Sequence, residues 1–443
     1  MATNYVVRSS NQPVMNALKI LSKRQFSKRR MIGPRNKYAI DLIGETKLPT
    51  FSTGNVDVNE LSQYIASSIL VHSFDGWNFI SRSFDALFAG DAATAIHMAY
   101  YSELRGAMSI LASEGIGVFN RKHLFFDHGN VGIVFTQNSA NKALTTHLAA
   151  KELMDEWASL ANKKQVVFDC IQVNNRSLTE WITASGHSTT SGYASSLLGE
   201  WLRLWSIDLK LDVDQQLRNE TSYRPHYSIP SPHIKERLNE VMDIWINLEP
   251  GDGSYYQSLD THLLRLSLES LFKMSTGRTH RHRTFTGFID SIFNNLGESK
   301  EQILYEFLFR RTSPHDNFLL AEAKKDALDP SVNFTNPMPL ICRAIILQRF
   351  ATGIAKIIYT KSKVNFANLK FWWQDAAFKY GLISENPSDL TPIDLYSDVA
   401  DSIKEIQENA TPVLNIKEIN GSIIGDVCNL KQFQRICFWG MGL

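Results

Sequence analysis

The sequence predicts a mostly α fold, in two helical lobes with a small antiparallel sheet in the first. Three observations carry that expectation. Apolar side chains recur at three- and four-residue intervals along most of the 443 residues, the period of helices that bury one face. Strand signals are few, and most of them gather between 123 and 173. Turn-forming residues concentrate at Glu249-Pro-Gly-Asp-Gly-Ser254, a break of the kind that separates lobes. The division that follows is a basic N-terminal arm over 1–45, a helical lobe holding the sheet over 46–250, and a second helical lobe with a C-terminal tail over 251–443.

The helix over 91–114 has Ile96, Tyr100, Leu104, Met108 and Leu111 on one face. Alanines and Gly106 keep much of the rest small, which suits a helix buried among close neighbours. Gly115 is a plausible stop. The stretch 123–136 reads as a hairpin turning at Asp127-His-Gly-Asn130, and 165–173 as a third strand. Between them, 142–162 repeats helical spacing through Leu144, Leu148, Met154, Trp157 and Leu160. Ser177-Leu-Thr-Glu180 is a capping box that opens a short helix with Trp181. A helix over 191–205 carries Leu197, Leu198, Trp201 and Trp205. Ser231-Pro232 sets a cap and a first-position proline ahead of a helix over 233–248. Further helices are expected at 256–274, 284–296, 299–310, 316–327, 338–360, 367–380 and 395–408. A last strand pair, turning at Asn420-Gly421, is expected within 412–426.

Composition excludes several classes. With 44% hydrophobic and 21% charged residues the chain is a packed globular protein rather than a disordered one. Its four cysteines, Cys170, Cys342, Cys428 and Cys437, form no C-x-x-C pair, which argues against a disulfide framework and a cysteine zinc site, and for the reducing cytoplasm. The most apolar stretch, 340–359, is interrupted by Arg343, Arg349 and Lys356, so no membrane span is expected. Phosphate-binding glycine loops, dinucleotide fingerprints, His-Glu-x-x-His and Gly-x-Ser-x-Gly are all absent from the sequence. Neither a metal nor a cofactor is expected.

The net charge of +1 names no partner, but its distribution does. Nine Lys or Arg precede the first acidic residue, Asp41, and they include Lys28, Arg29 and Arg30. Such a segment can neutralise phosphates without reading bases. A frayed basic terminus and an organelle transit peptide are the alternatives. A second basic run, Arg278, His280, Arg281, His282 and Arg283, can track a nucleic-acid backbone or form a solvated loop.

Three places pair Arg with His at short range. In Leu217-Arg-Asn219, followed by His226, the imidazole can move the proton of a ribose 2′-hydroxyl while Arg218 holds the phosphate oxygens and Asn219 orients either group. The competing reading pairs Arg218 with Asp214, four residues back on a helix. The alternative catalytic pair is Arg310 with His315, which also reads as a basic helix end. Arg121 with His123 and His128 fits hairpin positions. Asp316 with Glu322 and Lys324 has the residue types of a metal-dependent nuclease, but on a predicted helix.

At Leu217-Arg-Asn219 the chain resembles the HEPN superfamily of helical bacterial proteins, many of them RNases or RNA-binding modules of toxin and anti-phage systems. In that family an Arg and a polar residue precede a His at a helix end. Arg218 and Asn219 match, and His226 follows after seven intervening residues, one beyond the usual spacing. Arg310 and His315, with four between them, fit the spacing, with Arg311 at the polar position. YYSELRGAMSILASEGIGVFN resembles bacterial proteins found near defence genes. The resemblance implies an RNA-directed protein of a defence or toxin-type system, a metal-independent endoribonuclease if it is an enzyme. The other reading is a non-catalytic helical scaffold of a multi-protein complex that contacts nucleic acid through its basic segments, with a protein partner or a second copy beside it.

Overall fold

Gln348 is the point at which three long helices, drawn from both halves of the chain, meet. The computed structural model describes residues 4–187, 214–219, 234–251, 253–275, 284–300, 303–309, 317–325, 328–329, 334–383, 394–409 and 423–442. Among them the fold is mostly α with a small antiparallel sheet in the N-terminal half, as expected.

The order begins with α1 (Tyr5–Arg8), α2 (Gln12–Arg24), α3 (Lys37–Lys47), α4 (Val58–Phe88) and α5 (Ala92–Ser113). A three-stranded sheet follows: β1 (Ile116–Gly117), β2 (His123–Phe126) and β3 (Gly132–Phe135), in the order β1-β2-β3. Its hairpin turns where expected, with Asn130 at φ 62° and Val134 opposite Leu124. Then come α6 (Thr146–Ser159), α7 (Ala161–Cys170), the strand pair β4 (Gln172–Val173) and β5 (Arg176–Ser177), and α8 (Leu178–Ala184). The second half holds α9 (Ile234–Asn247), α10 (Gln257–Ser275), α11 (Phe285–Leu296), α12 (Ile303–Leu308), α13 (Phe318–Ala323), the pair β6 (Leu328–Asp329) and β7 (Phe334–Thr335), α14 (Met338–Lys361), α15 (Lys370–Lys379), α16 (Asp394–Asn409), α17 (Ile424–Leu430) and α18 (Arg435–Met441).

Caps and apolar spacing explain most of these elements. Asp91 accepts from the Thr94 backbone N–H to open α5, and the Ser177–Glu180 capping box opens α8. The longest helix, α4, has no counterpart in the sequence reading. It is capped by Asp57 and buries Leu61, Ile65, Ile69, Trp77, Ile80 and Phe84. The strand expected over 165–173 is instead α7 followed by the two-residue β4. Val167 and Phe168 are buried in a helix packed on α14, and Gln165 reaches Asp169 one turn on, so tertiary packing overrides the β-preference of the Val-Val-Phe run. The strand pair expected over 412–426 is replaced at its C-terminal end by α17, while Asn420 and Gly421 lie outside the described residues, as does the helix expected over 191–205.

The residues read as a basic arm are packed helices. Val6, Val14, Leu18, Leu21 and Phe26 are buried, and the Glu156 carboxylate accepts from the backbone N–H groups of Tyr5, Val6 and Val7. Lys28, Arg29 and Arg30 stay exposed, with Arg29 3.1 Å from Asp375.

α14 lies against both α4 and α5, so the two halves share one buried core. The closest approach is at Gln348. It donates to the Ser102 carbonyl at 2.6 Å, between Gly76 of α4 and Gly106 of α5. A Cβ at Gly76 would stand 2.0 Å from Gln348 Nε2, and one at Gly106 2.9 Å from it. Glycine at these two positions leaves the room that the Gln348 side chain occupies.

No helix among the described residues is long and apolar enough to cross a membrane. Two of the cations that interrupt α14 form buried ion pairs. Arg343 meets Asp214 at 2.7 Å, and Arg349 meets Asp260 at 2.7 Å. Lys356, near the end of the helix, instead lies over the Tyr255 ring.

Candidate functional site

Arg218 is held over α5 by a scaffold that begins with Arg343. Arg343 donates to both carboxylate oxygens of Asp214, at 2.7 and 3.3 Å, and to the Lys325 carbonyl at 3.1 Å. Glu103 of α5 lies against the same guanidinium at 4.0 Å. Burial and the adjoining Asp214 carboxylate push the Glu103 carboxyl well above its ordinary range. Asp214 thus anchors the helical segment 214–219 onto α5 and α14. One turn on, at the i+4 position, Arg218 shares its face.

From there the Arg218 guanidinium reaches two rings, 5.3 Å from the centroid of Tyr100 and 5.7 Å from that of Tyr101. These are cation–π distances. The Tyr100 hydroxyl is 2.7 Å from Nδ1 of His147, and the two rings are stacked with centroids 5.6 Å apart. His147 comes from the first turn of α6, which Thr145 caps and Thr146 ties to the Phe119 carbonyl. No described residue bonds its Nε2. His97, one turn before Tyr101 on α5, lies 4.9 Å from the Tyr101 ring.

The electrostatics of the cluster follow from that geometry. Burial first, and the Arg218 charge second, lower the pKa of both His147 and His97. Burial raises that of Tyr100, with Arg218 opposing. The site therefore holds a fixed cation, two imidazoles held neutral near pH 7, and a phenol that keeps its proton. Such a set can bind an oxyanion and accept a proton, without needing a metal for either.

Arg218, which the sequence singled out, shares Tyr100 with His147, which it did not. Arg218 and Asn219 lie in the helical segment, whereas His226 lies outside the described residues. The same holds for Arg278, His280, Arg281, His282 and Arg283, for Arg310 and His315, and for Asp316. His123 is buried in the core, where its Nδ1 accepts from the Phe119 N–H and its Nε2–H donates to the Leu144 carbonyl, so it serves the fold. Glu322 is paired with Lys325. No group of three or more metal-ligating side chains occurs among the described residues. The signal that points to the cluster is the His97, Tyr100, Tyr101 spacing, which puts three polar-tipped rings on one face of α5.

Compared with family models, curated proteins and solved structures, the chain matches none.

Proposed function

We propose that the chain acts on RNA by metal-independent proton transfer, as a helical protein of a bacterial defence or toxin-type system, with Arg218 as phosphate clamp and His147 as the group that moves the proton. One observation carries the reading: Arg218 and His147 share Tyr100, one over its ring and the other on its hydroxyl. With Nδ1–H donating to the Tyr100 hydroxyl, Nε2 is left to accept. The ribose 2′-oxygen attacks phosphorus as its proton passes to Nε2. The bond to the 5′-oxygen then breaks, that oxygen takes the proton back, and a 2′,3′-cyclic phosphate remains. Arg218 holds the non-bridging oxygens as charge builds on them.

The test is cleavage of a single-stranded RNA in EDTA. Arg218→Ala and His147→Ala are expected to lose at least ~100-fold, and Tyr100→Phe roughly tenfold. Including His226→Ala decides whether that histidine or His147 is the imidazole. Equal activity in wild type, Arg218→Ala and His147→Ala removes the site from consideration.

The second reading, a non-catalytic scaffold, is favoured by one feature. Ile40 and Ile43 of α3 are 69% and 56% exposed, beside an exposed Leu48. If this strip joins two copies, Ile40→Asp/Ile43→Asp converts a dimer to a monomer in sedimentation. A wild-type monomer would dismiss that role for the strip.

A further inference from the structure

A cavity of about 780 Å³ opens where the end of α14 meets the turn 249–256 and α18. Its size suits a small organic ligand. Its walls are Tyr255, Tyr256 and Trp439 on the apolar side and Lys356 on the polar side. Lys356 Nζ sits 3.2 Å from the Tyr255 ring centroid, and no carboxylate among the described residues pairs with it. Asp169 is the one acid in the described wall, and it is engaged elsewhere. It accepts from Thr179 Oγ1 at 2.7 Å and from Gln165 at 3.3 Å, and faces Lys361 at 3.9 Å.

Two further donors belong to wall residues. Tyr256 Oη and Trp439 Nε1 are buried with no hydrogen-bond partner, a state that folded proteins seldom leave standing. Gly440 lets the Tyr256 hydroxyl sit there, since a Cβ at that position would stand 2.1 Å from Oη. The described wall thus holds an ammonium that no described carboxylate pairs with, beside two buried donors that lack acceptors. What is missing is an anion, and the flat aromatic sides set the shape of its carrier. Burial, helped by the charge of Arg349, lowers the Lys356 ammonium to about 8, as a cation awaiting a counter-ion would be.

We propose that this cavity binds a small planar aromatic carboxylate, its carboxylate held by Lys356 and its rings set among Tyr255, Tyr256 and Trp439. The site is independent of the Arg218 cluster.

The experiment is calorimetric titration of the full chain with 2-naphthoate and with its neutral counterpart, 2-naphthamide. The carboxylate is expected to bind at one site, at least tenfold more tightly than the amide. Lys356→Met is expected to bring the two to equal affinity. Binding of neither compound below about 1 mM, equal binding of both to wild type, or an undiminished preference in Lys356→Met overturns the proposal. A second measurement needs no variant: saturating 2-naphthoate must slow acetylation of Lys356 by acetic anhydride, followed by mass spectrometry. Unchanged labelling overturns the proposal equally.

Discussion

Removing one member of the Arg349–Asp260 pair strands the other in the core, and the cost can be worked from the contacts. Both side chains are about 1% exposed. Arg349 donates to Asp260 through Nε at 3.1 Å and through Nη2 to both oxygens at 2.7 Å, and Nη2 also reaches the Cys170 carbonyl at 2.9 Å. Asp260 in turn accepts from the Gln172 backbone N–H at 3.0 Å and from the Ser254 hydroxyl at 3.4 Å. Asp260→Asn keeps the shape but leaves a buried guanidinium without its counter-charge, a loss of about 3–5 kcal/mol. The unfolding entropy of a 443-residue chain is roughly 0.9 kcal/mol/K, so the melting temperature falls by about 3–5 °C. Arg349→Met gives a fall of the same size, because it strands the carboxylate instead. The double change Arg349→Met/Asp260→Leu strands neither, and its fall is far smaller than the sum of the two. Scanning calorimetry of the three variants decides. Single changes that cost less than 1 °C, or a double change equal to the sum, would refute the account.

Three further outcomes follow from the same geometry. Burial lowers His123 from 6.5 to about 4, so the unfolded chain binds its proton first as the pH falls. The stability it contributes is intact above 6.5 and is lost toward 4, roughly 3 kcal/mol in all, and a His123→Gln protein with an unchanged fall in melting temperature from pH 7 to 5 would contradict this. Binding of 2-naphthoate needs the Lys356 ammonium, so affinity is expected to drop as pH rises through about 8, and a flat profile to pH 9.5 would implicate another group. Because the N-terminal helices are part of the core, their exposed cations are best tested by charge change. Lys28→Glu/Arg30→Glu should flatten the salt dependence of single-stranded RNA binding by about 1.4 in log–log slope if both touch phosphate, and an unaltered slope shows that they do not.

The helices were legible where their apolar period ran long. The segments 256–274, 284–296 and 338–360 lie within a residue or two of α10, α11 and α14. The run at 165–173 was misread because a short apolar stretch suits strand and helix alike, and its packing on α14 decides. Arg218 was legible as a candidate because arginine beside asparagine is conspicuous in a polar segment. Its neighbours His97 and His147 were not, since they come from two distant helices and meet Arg218 only through the tertiary fold. Lys356 was visible only as an interruption in an apolar helix, and the aromatic walls that give it meaning come from the turn near 255 and from the C-terminal helix.

The glutamine wedged between two glycines ties the two halves of the chain together. A methyl at Gly76 requires the Gln348 side chain, some 270 residues downstream, to move or be shortened, and a shortened 348 leaves a hole between helices. The three positions are therefore coupled in packing, and a chimera joined at the turn near 250 would part residues that fit one another.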